Sequence, residues 1–322
     1  MRKINYIIIL ILLFSCEKSE IPVEKHNMGD IKLGKINMDS DYKKQLFYNL
    51  DLNIVVKENL KTDWDLAFES SSDGWHIILN TSTLSESSQL KGYIFEDNIS
   101  LDGLTWNWDD PKGINNFTAI GDYRGEDYLY IINRGYKING DEAGYKKIMI
   151  DSVNSTGYYI KYSNLDNSDI NNIQIKKDTT VNFQYLSFEN NSVVDIEPNK
   201  EDWDLVFTQY THLFNDNIET PAYLVTGTLT NYLNDISVAK DSINKFEEIT
   251  SLNISSYTFS NNQDEIGYKW KTFNFDSQIY TVNSHITYVI KDQLSRYFKL
   301  RFLDFYNEDG EKGAPTFEIQ EL

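Results

Sequence analysis

Apolar and polar residues alternate in short runs along most of the chain, and clusters of Asn, Asp, Gly and Ser separate the runs. The stretches YLYIINRGYKI (128–138), GYKKIMI (144–150), TGYYIKY (156–162), AYLVTGTL (222–229), SHITYVI (284–290) and YFKLRFLDFY (297–306) have the composition of strands. The last shows the period most plainly. Phe298, Leu300 and Phe302 fall on one face, Lys299 and Arg301 on the other. INGDEAG (138–144), LDNSD (165–169) and NEDG (307–310) supply turns. One segment departs from this pattern. In SVAKDSINKFEEI (237–249), Ala239, Ile243 and Phe246 recur at i, i+4 and i+7, which predicts an amphipathic helix. The expected fold is all-β, with mostly antiparallel sheets and one short helix near 237–249.

A motif is written twice. KTDWDLAF occupies 61–68 and KEDWDLVF occupies 200–207, with Trp203 following Trp64 by 139 positions. The likeness extends upstream, where LFYNLDLNIVVKENLKTDWD (46–65) parallels YLSFENNSVVDIEPNKEDWD (185–204). A period near 140 residues is far longer than the roughly 20–50 of a solenoid repeat, so it is domain-sized. Two tandem related halves are expected, a β-rich one over 31–180 and a second over 181–322. Alternation places Trp64, Leu66 and Phe68 on one face of a strand, and Trp203, Leu205 and Phe207 on one face of another. Each motif then plants an indole in a core. Asp65 and Asp204 point outward as solvated side chains, and Asp63 and Asp202 suit the turns before the strands. For Asp65 and Asp204 to work as acid and base they would have to meet in a cleft.

The N-terminus carries a different pattern. Arg2 and Lys3 precede the apolar run INYIIILILLF, which is short for a membrane span and reads as a signal peptide over 1–15. LFSC follows, ending on Cys16, the single cysteine among 322 residues. The run resembles a bacterial lipobox, which implies cleavage before Cys16 and lipidation there. An ordinary signal peptide would leave that sole cysteine unexplained. Residues 16–30 are then a lipidated polar tether, and the expected place is the cell envelope, exposed on the outer membrane. The net charge of −19 lacks the basic footprint of a nucleic-acid binder. Twenty-two tyrosines and 17 phenylalanines reinforce the β reading.

From about 181 onward, the blocks YLSFENNSVVDI, DWDLVFTQY, TGTLTN, VAKDSINKFEEIT, IGYKWKTFN and YFKLRFLDFYNEDGEKGAPTFEIQEL, in that order, resemble the HmuY-like family of bacterial surface lipoproteins. The resemblance implies an all-β fold, outer-membrane attachment and capture of haem between two axial histidines. It also implies a haem or surface-transport partner. One family histidine lies five residues after the Trp of the WKTF-like block, and counting from Trp270 that position holds Phe275. The other lies in the preceding segment, and Asp241 to Asp264 contains neither His nor Met. Haem iron takes His, Met, Cys or Tyr as its axial ligand.

Four histidines exist: His26 in the tether, His76, His212 and His285. His212 and His285 form an alternative haem clamp, or else two unrelated strand histidines. Tyr210 is a further iron ligand by type. Trp106 and Trp108 in LTWNWDD share one face if that stretch is extended, as a stacking platform or as core. No nucleophile elbow, HExxH or phosphate loop occurs, and neither Asp/Gly loop has EF-hand spacing. The sequence therefore reads as a non-enzymatic ligand-binding surface lipoprotein. The alternative is a structural or interaction lipoprotein that binds a partner protein or a glycan, and a hydrolase ranks third.

Overall fold

The structure is a computed structural model that describes residues 28–115, 117–214 and 221–322. The signal peptide, Cys16 and His26 lie outside the described residues. Twenty strands, all antiparallel in their pairings, make four layers and one small hairpin among the described residues. One outer sheet runs in the order Asn171–Lys176, Gly157–Ser163, Tyr145–Asn154, Tyr128–Asn133, Glu86–Lys91. The other outer sheet runs Lys32–Lys35, Lys312–Glu321, Tyr297–Tyr306, Thr287–Lys291, Ser237–Asp241. Between them lie two four-stranded inner sheets. The first is Ser192–Val194, Phe183–Ser187, Leu66–Glu69, Ile77–Leu79, and the second is Ile54–Leu60, Lys44–Asn49, Leu205–Leu213, Ala222–Thr230. The hairpin pairs Lys271–Asn274 with Ile279–Val282.

Three cores hold the layers together. Leu66, Phe68 and Leu186 of the first inner sheet pack on Tyr130, Ile148 and Tyr162 of its outer sheet. Leu46, Leu205 and Phe207 of the second pack on Ile290, Phe302 and Phe317. The third core, with Phe47, Trp64, Ala67, Tyr185, Trp203 and Val206, lies between the two inner sheets. The all-β architecture is as the alternation predicts.

The strands are exchanged between the two stretches of sequence. Leu66–Glu69, the first motif, pairs with Phe183–Ser187, in the register Leu66 to Leu186 and Ala67 to Tyr185. Leu205–Leu213, the second, pairs with Lys44–Asn49, in the register Leu205 to Tyr48 and Val206 to Phe47. Each motif is thus zipped to the strand that leads into the other motif. Lys32–Lys35 also pairs far along the chain, with Lys312–Glu321.

The two motifs make the same bonds in the same places. The Asp65 N–H donates to Leu186 O (2.8 Å) and the Asp204 N–H to Tyr48 O (2.9 Å). The Asp65 carboxylate accepts from Phe188 N (2.7 Å) and that of Asp204 from Leu50 N (2.8 Å). Asn80 Nδ2 donates to Lys61 O and Trp64 O, while Asn231 Nδ2 donates to Lys200 O and Trp203 O. Trp64 meets Tyr185 edge-on at 4.9 Å, and Trp203 meets Phe47 at 5.0 Å.

Three expectations need correction here. The strands begin at Leu66 and Leu205, after the indoles, so Trp64 and Trp203 do not share a face with the leucines. They turn into the central core while Leu66, Phe68, Leu205 and Phe207 face the outer sheets. Asp65 and Asp204 are buried, not solvated. Each carboxylate is needed to satisfy a backbone N–H just past the end of the exchanged strand, and Asp65 also takes Arg134 Nε at 2.7 Å. The 237–249 helix is absent. Ser237–Asp241 is a strand paired with Thr287–Lys291, and Phe246–Glu248 is a single 3-10 turn. The helical spacing was incidental, since Ile243 is 92% exposed at a turn that the Asp241 carboxylate caps.

Two outward positions of the alternation are buried lysines. Lys299 donates to Phe246 O and Ile249 O and lies 4.5 Å from the Phe246 ring centroid. Lys147, in the corresponding strand of the other outer sheet, donates to Asp97 O and Asn167 Oδ1 and lies 5.1 Å from Phe95. Both cross the outer face of their sheet to satisfy carbonyls of the covering loops. LTWNWDD is no strand either, and only Asn107 bridges to Ser87.

Two predictions follow from these bonds. Asn80→Ala orphans two carbonyls, Lys61 O and Trp64 O, and should lower stability by about 1–3 kcal/mol in denaturant titration, whereas Asn231→Ala orphans only Trp203 O, because Lys200 O keeps its bond from Asn234 Nδ2, and should cost less. Burial also pushes the carboxyls of Glu197 and Asp109 up to about 7 and that of Asp204 up to about 6. The folded state therefore holds protons that the unfolded chain releases near pH 4. This contribution is full below about pH 4 and is lost as pH rises through 7. The melting temperature should fall between pH 5.5 and 8, and Glu197→Gln should flatten that slope.

Candidate functional site

The second motif strand runs on for nine residues, and its far end carries Tyr210 and His212. The loop Asp264–Tyr268 folds back over this hairpin. Thr228 and Gly267 exchange two backbone hydrogen bonds of 3.0 Å each. The approach requires glycine on both sides. A Cβ on Gly227 would sit 2.5 Å from Gly267 O, and Gly267 itself has φ +56°. That close contact is the physical meaning of the TGTL and IGYKW blocks.

Between loop and sheet lies a hollow of about 270 Å³, floored by Tyr210 and Tyr288 and walled by His212 and Tyr268. Lys112, Lys240 and Lys269 stand around it, as do Asp264 and Glu265. The His212 ring is packed edge-on between Phe214 and Tyr268, with centroids 4.9 Å from each. Its Nδ1 is buried and has no hydrogen-bond partner among the described residues. Burial, with Lys269 adding to it, holds the imidazole below its ordinary pKa, so the ring is neutral. The Tyr210 hydroxyl is likewise buried without a partner, and burial raises its pKa, which disfavours tyrosinate. The hollow thus presents a neutral nitrogen donor beside aromatic faces, with cations at its rim.

His285 is not part of this hollow. It is exposed on the turn before Thr287–Lys291, so the structure does not bring it to His212. Trp270 is core, stacked on Phe302 at 3.9 Å and 11°. Next to it, Lys271 is buried with its ammonium 4.3 Å from the Trp270 ring and bonded to Thr226 O. Burial pushes it down to about 7. Tyr268, Gly267, Asp264 and Tyr288 were not singled out from sequence, although Gly267 and Tyr268 stand in the IGYKW block.

A further ordered histidine appears in the first half. His76 Nδ1 lies 2.6 Å from Glu69 Oε2, and the same oxygen accepts the backbone N–H groups of Trp75 and His76. Its ring stacks on Trp75, whose other contact is the Arg124 guanidinium at 3.9 Å.

Haem can be tested against these side chains. Phe275, at the family's axial position, is 84% exposed at the end of a hairpin strand and has no donor atom. Asp241–Asp264 contributes a strand end and two 3-10 segments, again without a donor histidine. No group of three or more His, Cys, Asp or Glu side chains converges among the described residues. A two-histidine clamp therefore does not fit this chain. Of the described histidines, His212 is the one that lines the hollow.

Residues 178–319 match the family model described as HmuY protein, and that stretch of the chain is HmuY-like. Solved structures similar to the chain include apo PinO from Porphyromonas gingivitis, at 10% identity and a TM-score of 0.31, covering 91% of this chain and 97% of that one. Another is the apo HmuY analog of Tannerella forsythia, at 14% identity and a TM-score of 0.24, covering 50% and 88%. A third is a Bacteroides vulgatus protein provisionally described as HmuY-like and heme binding, at 17% identity and a TM-score of 0.20, covering 41% and 80%. Likenesses at these TM-scores place no residue and no ligand in this chain. No curated protein matches it.

Proposed function

We propose that this chain is a non-enzymatic binding protein of the cell surface, held to the outer membrane through lipid on Cys16, and that its ligand is haem or a related porphyrin. The observation that carries this reading is the neutral imidazole of His212 lining a hollow of the HmuY-like stretch, packed between two aromatic rings and with three lysines around the hollow. His212 would hold the iron through its imidazole, Tyr268 and Phe214 would offer aromatic faces, and the rim lysines would meet the carboxylates. Haem when bound supplies the iron; the chain supplies position and charge. Lys112, Lys240 and Lys269 are local cations on an acidic protein, so they favour the ligand's carboxylate edge over other orientations. Of the motif carboxylates, Asp65 is occupied by Arg134 and Phe188 N, and Asp204 takes Leu50 N. Among the described residues no helix is long and apolar enough to cross a membrane.

A second reading, a lipoprotein that binds a partner protein or a glycan, draws on the bare aromatic tip of the hairpin. Phe275 stands exposed there beside Phe273, with ring centroids 5.1 Å apart.

Haemin titration of the protein freed of its lipid tests the first reading. A saturable Soret shift with quenching of tryptophan fluorescence is expected. His212→Ala should weaken binding at least tenfold, and His285→Ala should leave it unchanged. Because burial holds the imidazole below its ordinary pKa, affinity should fall with acid only at a lower pH than an exposed histidine would give. An absent Soret shift removes haem as the ligand, and equal loss in both variants removes ligation by His212 alone.

A further inference from the structure

The two inner sheets do not close on each other completely. A cavity of about 100 Å³ remains between them, with the two motif indoles, Trp64 and Trp203, among its walls. Phe47, Tyr185, Ile114 and Leu229 complete its apolar surface. Its place is defined by both halves of the chain, because Phe47 and Tyr185 are the partners onto which the two indoles pack edge-on.

Several polar side chains of the lining are satisfied by protein, and the Tyr210 hydroxyl, which has no partner, lies beside Gly267 at the hollow. Trp64 Nε1 donates to Gln45 Oε1 (2.9 Å), and Trp203 Nε1 to Glu197 Oε1 (3.2 Å). The Gln45 amide nitrogen is bonded to Ser82 and Thr208. The Asn231 amide is used by Lys200 O, Trp203 O and Asn182. Both Asp109 oxygens take backbone N–H groups, from Leu79 and Ala119. A buried water needs about two to four polar partners, and an apolar cavity of roughly 150 Å³ stays dry and takes up benzene. The lining thus makes little claim on water and offers ring faces and aliphatic carbons instead.

We infer that the cavity is a binding site, distinct from the His212 hollow, for a small neutral apolar molecule no larger than one aromatic ring. Tyr210 lines both spaces. The guest is held by contact with the indoles and needs no charge or metal, so the inference stands whether or not haem is the ligand of the hollow.

Benzene and iodobenzene are the probes. Benzene at millimolar concentration should raise the melting temperature of the full soluble chain by about 2 °C or more, saturably. Iodobenzene should quench tryptophan fluorescence more strongly than it quenches free tryptophan, because a heavy atom then lies against Trp64 and Trp203. Val206→Leu and Leu229→Phe fill the cavity and should abolish both effects, with haemin titration left unchanged. Absence of any thermal shift and of excess quenching in the wild-type protein overturns the inference even if neither variant folds. Effects that persist in a folded cavity-filled variant overturn it too.

Discussion

Each motif strand is hydrogen-bonded to the strand that leads into the other motif, and the rest of the architecture depends on that exchange. Leu66 is registered to Leu186 and Leu205 to Tyr48, so neither inner sheet exists without residues from both ends of the chain. The cost is loop closure over more than a hundred residues, which grows only slowly with loop length. What offsets it is a third hydrophobic core, between the inner sheets, that neither sandwich has alone. Its indoles are held by the same device twice, an asparagine amide bridging the carbonyls before and at the tryptophan. The exchange also explains the identity of the repeated residues. An aspartate must follow the tryptophan because a backbone N–H of the partner strand, Phe188 or Leu50, ends at that point with no ladder bond to make.

Burial of polar groups is the second constraint, and it follows from the layering. Four layers leave little surface for loops to reach water, so lysines, aspartates and asparagines are drawn inward and bonded to carbonyls and N–H groups. Lys147, Lys299 and Lys271 all end on backbone oxygens. Against that background an unpaired buried polar atom carries information. Eight such side-chain atoms occur among the described residues, and those of His212 and Tyr210 belong to side chains that line one hollow. Trp270 Nε1 is another, but its ring is clamped by stacking on Phe302, so packing accounts for it.

Much of the fold was legible in the sequence, because strand alternation is a local property. Tyr297–Tyr306 and Ala222–Thr230 occupy the stretches read from period two. The misreadings arose where tertiary demands override local pattern. Ala239, Ile243 and Phe246 match a helical face, yet an outer sheet needs an edge strand and takes Ser237–Asp241 for it. Alternation sends Lys299 to solvent, but the loop carrying Phe246 covers that face and turns the lysine into a buried donor. The outward reading of Asp65 failed for the same reason, since its partner Phe188 is 123 residues away. At the candidate site, Tyr210 and His212 were visible by residue type, whereas the loop that closes over them was not. Its position is fixed by the contact of Gly227 with Gly267, two residues whose meaning appears only when backbone meets backbone.

The hollow sits where the correspondence between the two motifs ends. In the first, the strand stops after four residues, at Glu69, and its hairpin partner has three. In the second, strand and partner each run for nine residues. Tyr210 and His212 lie on that added length, beyond the segment both motifs share. The common part must satisfy the exchanged pairing, the capped indoles and the buried aspartates, so few of its positions are free to change. The extension carries fewer of those duties: Tyr210 joins the central core and Thr211 bonds Thr81 O, while the imidazole Nδ1 of His212 is left unbonded. Function is then to be sought in what distinguishes the copies rather than in what they repeat.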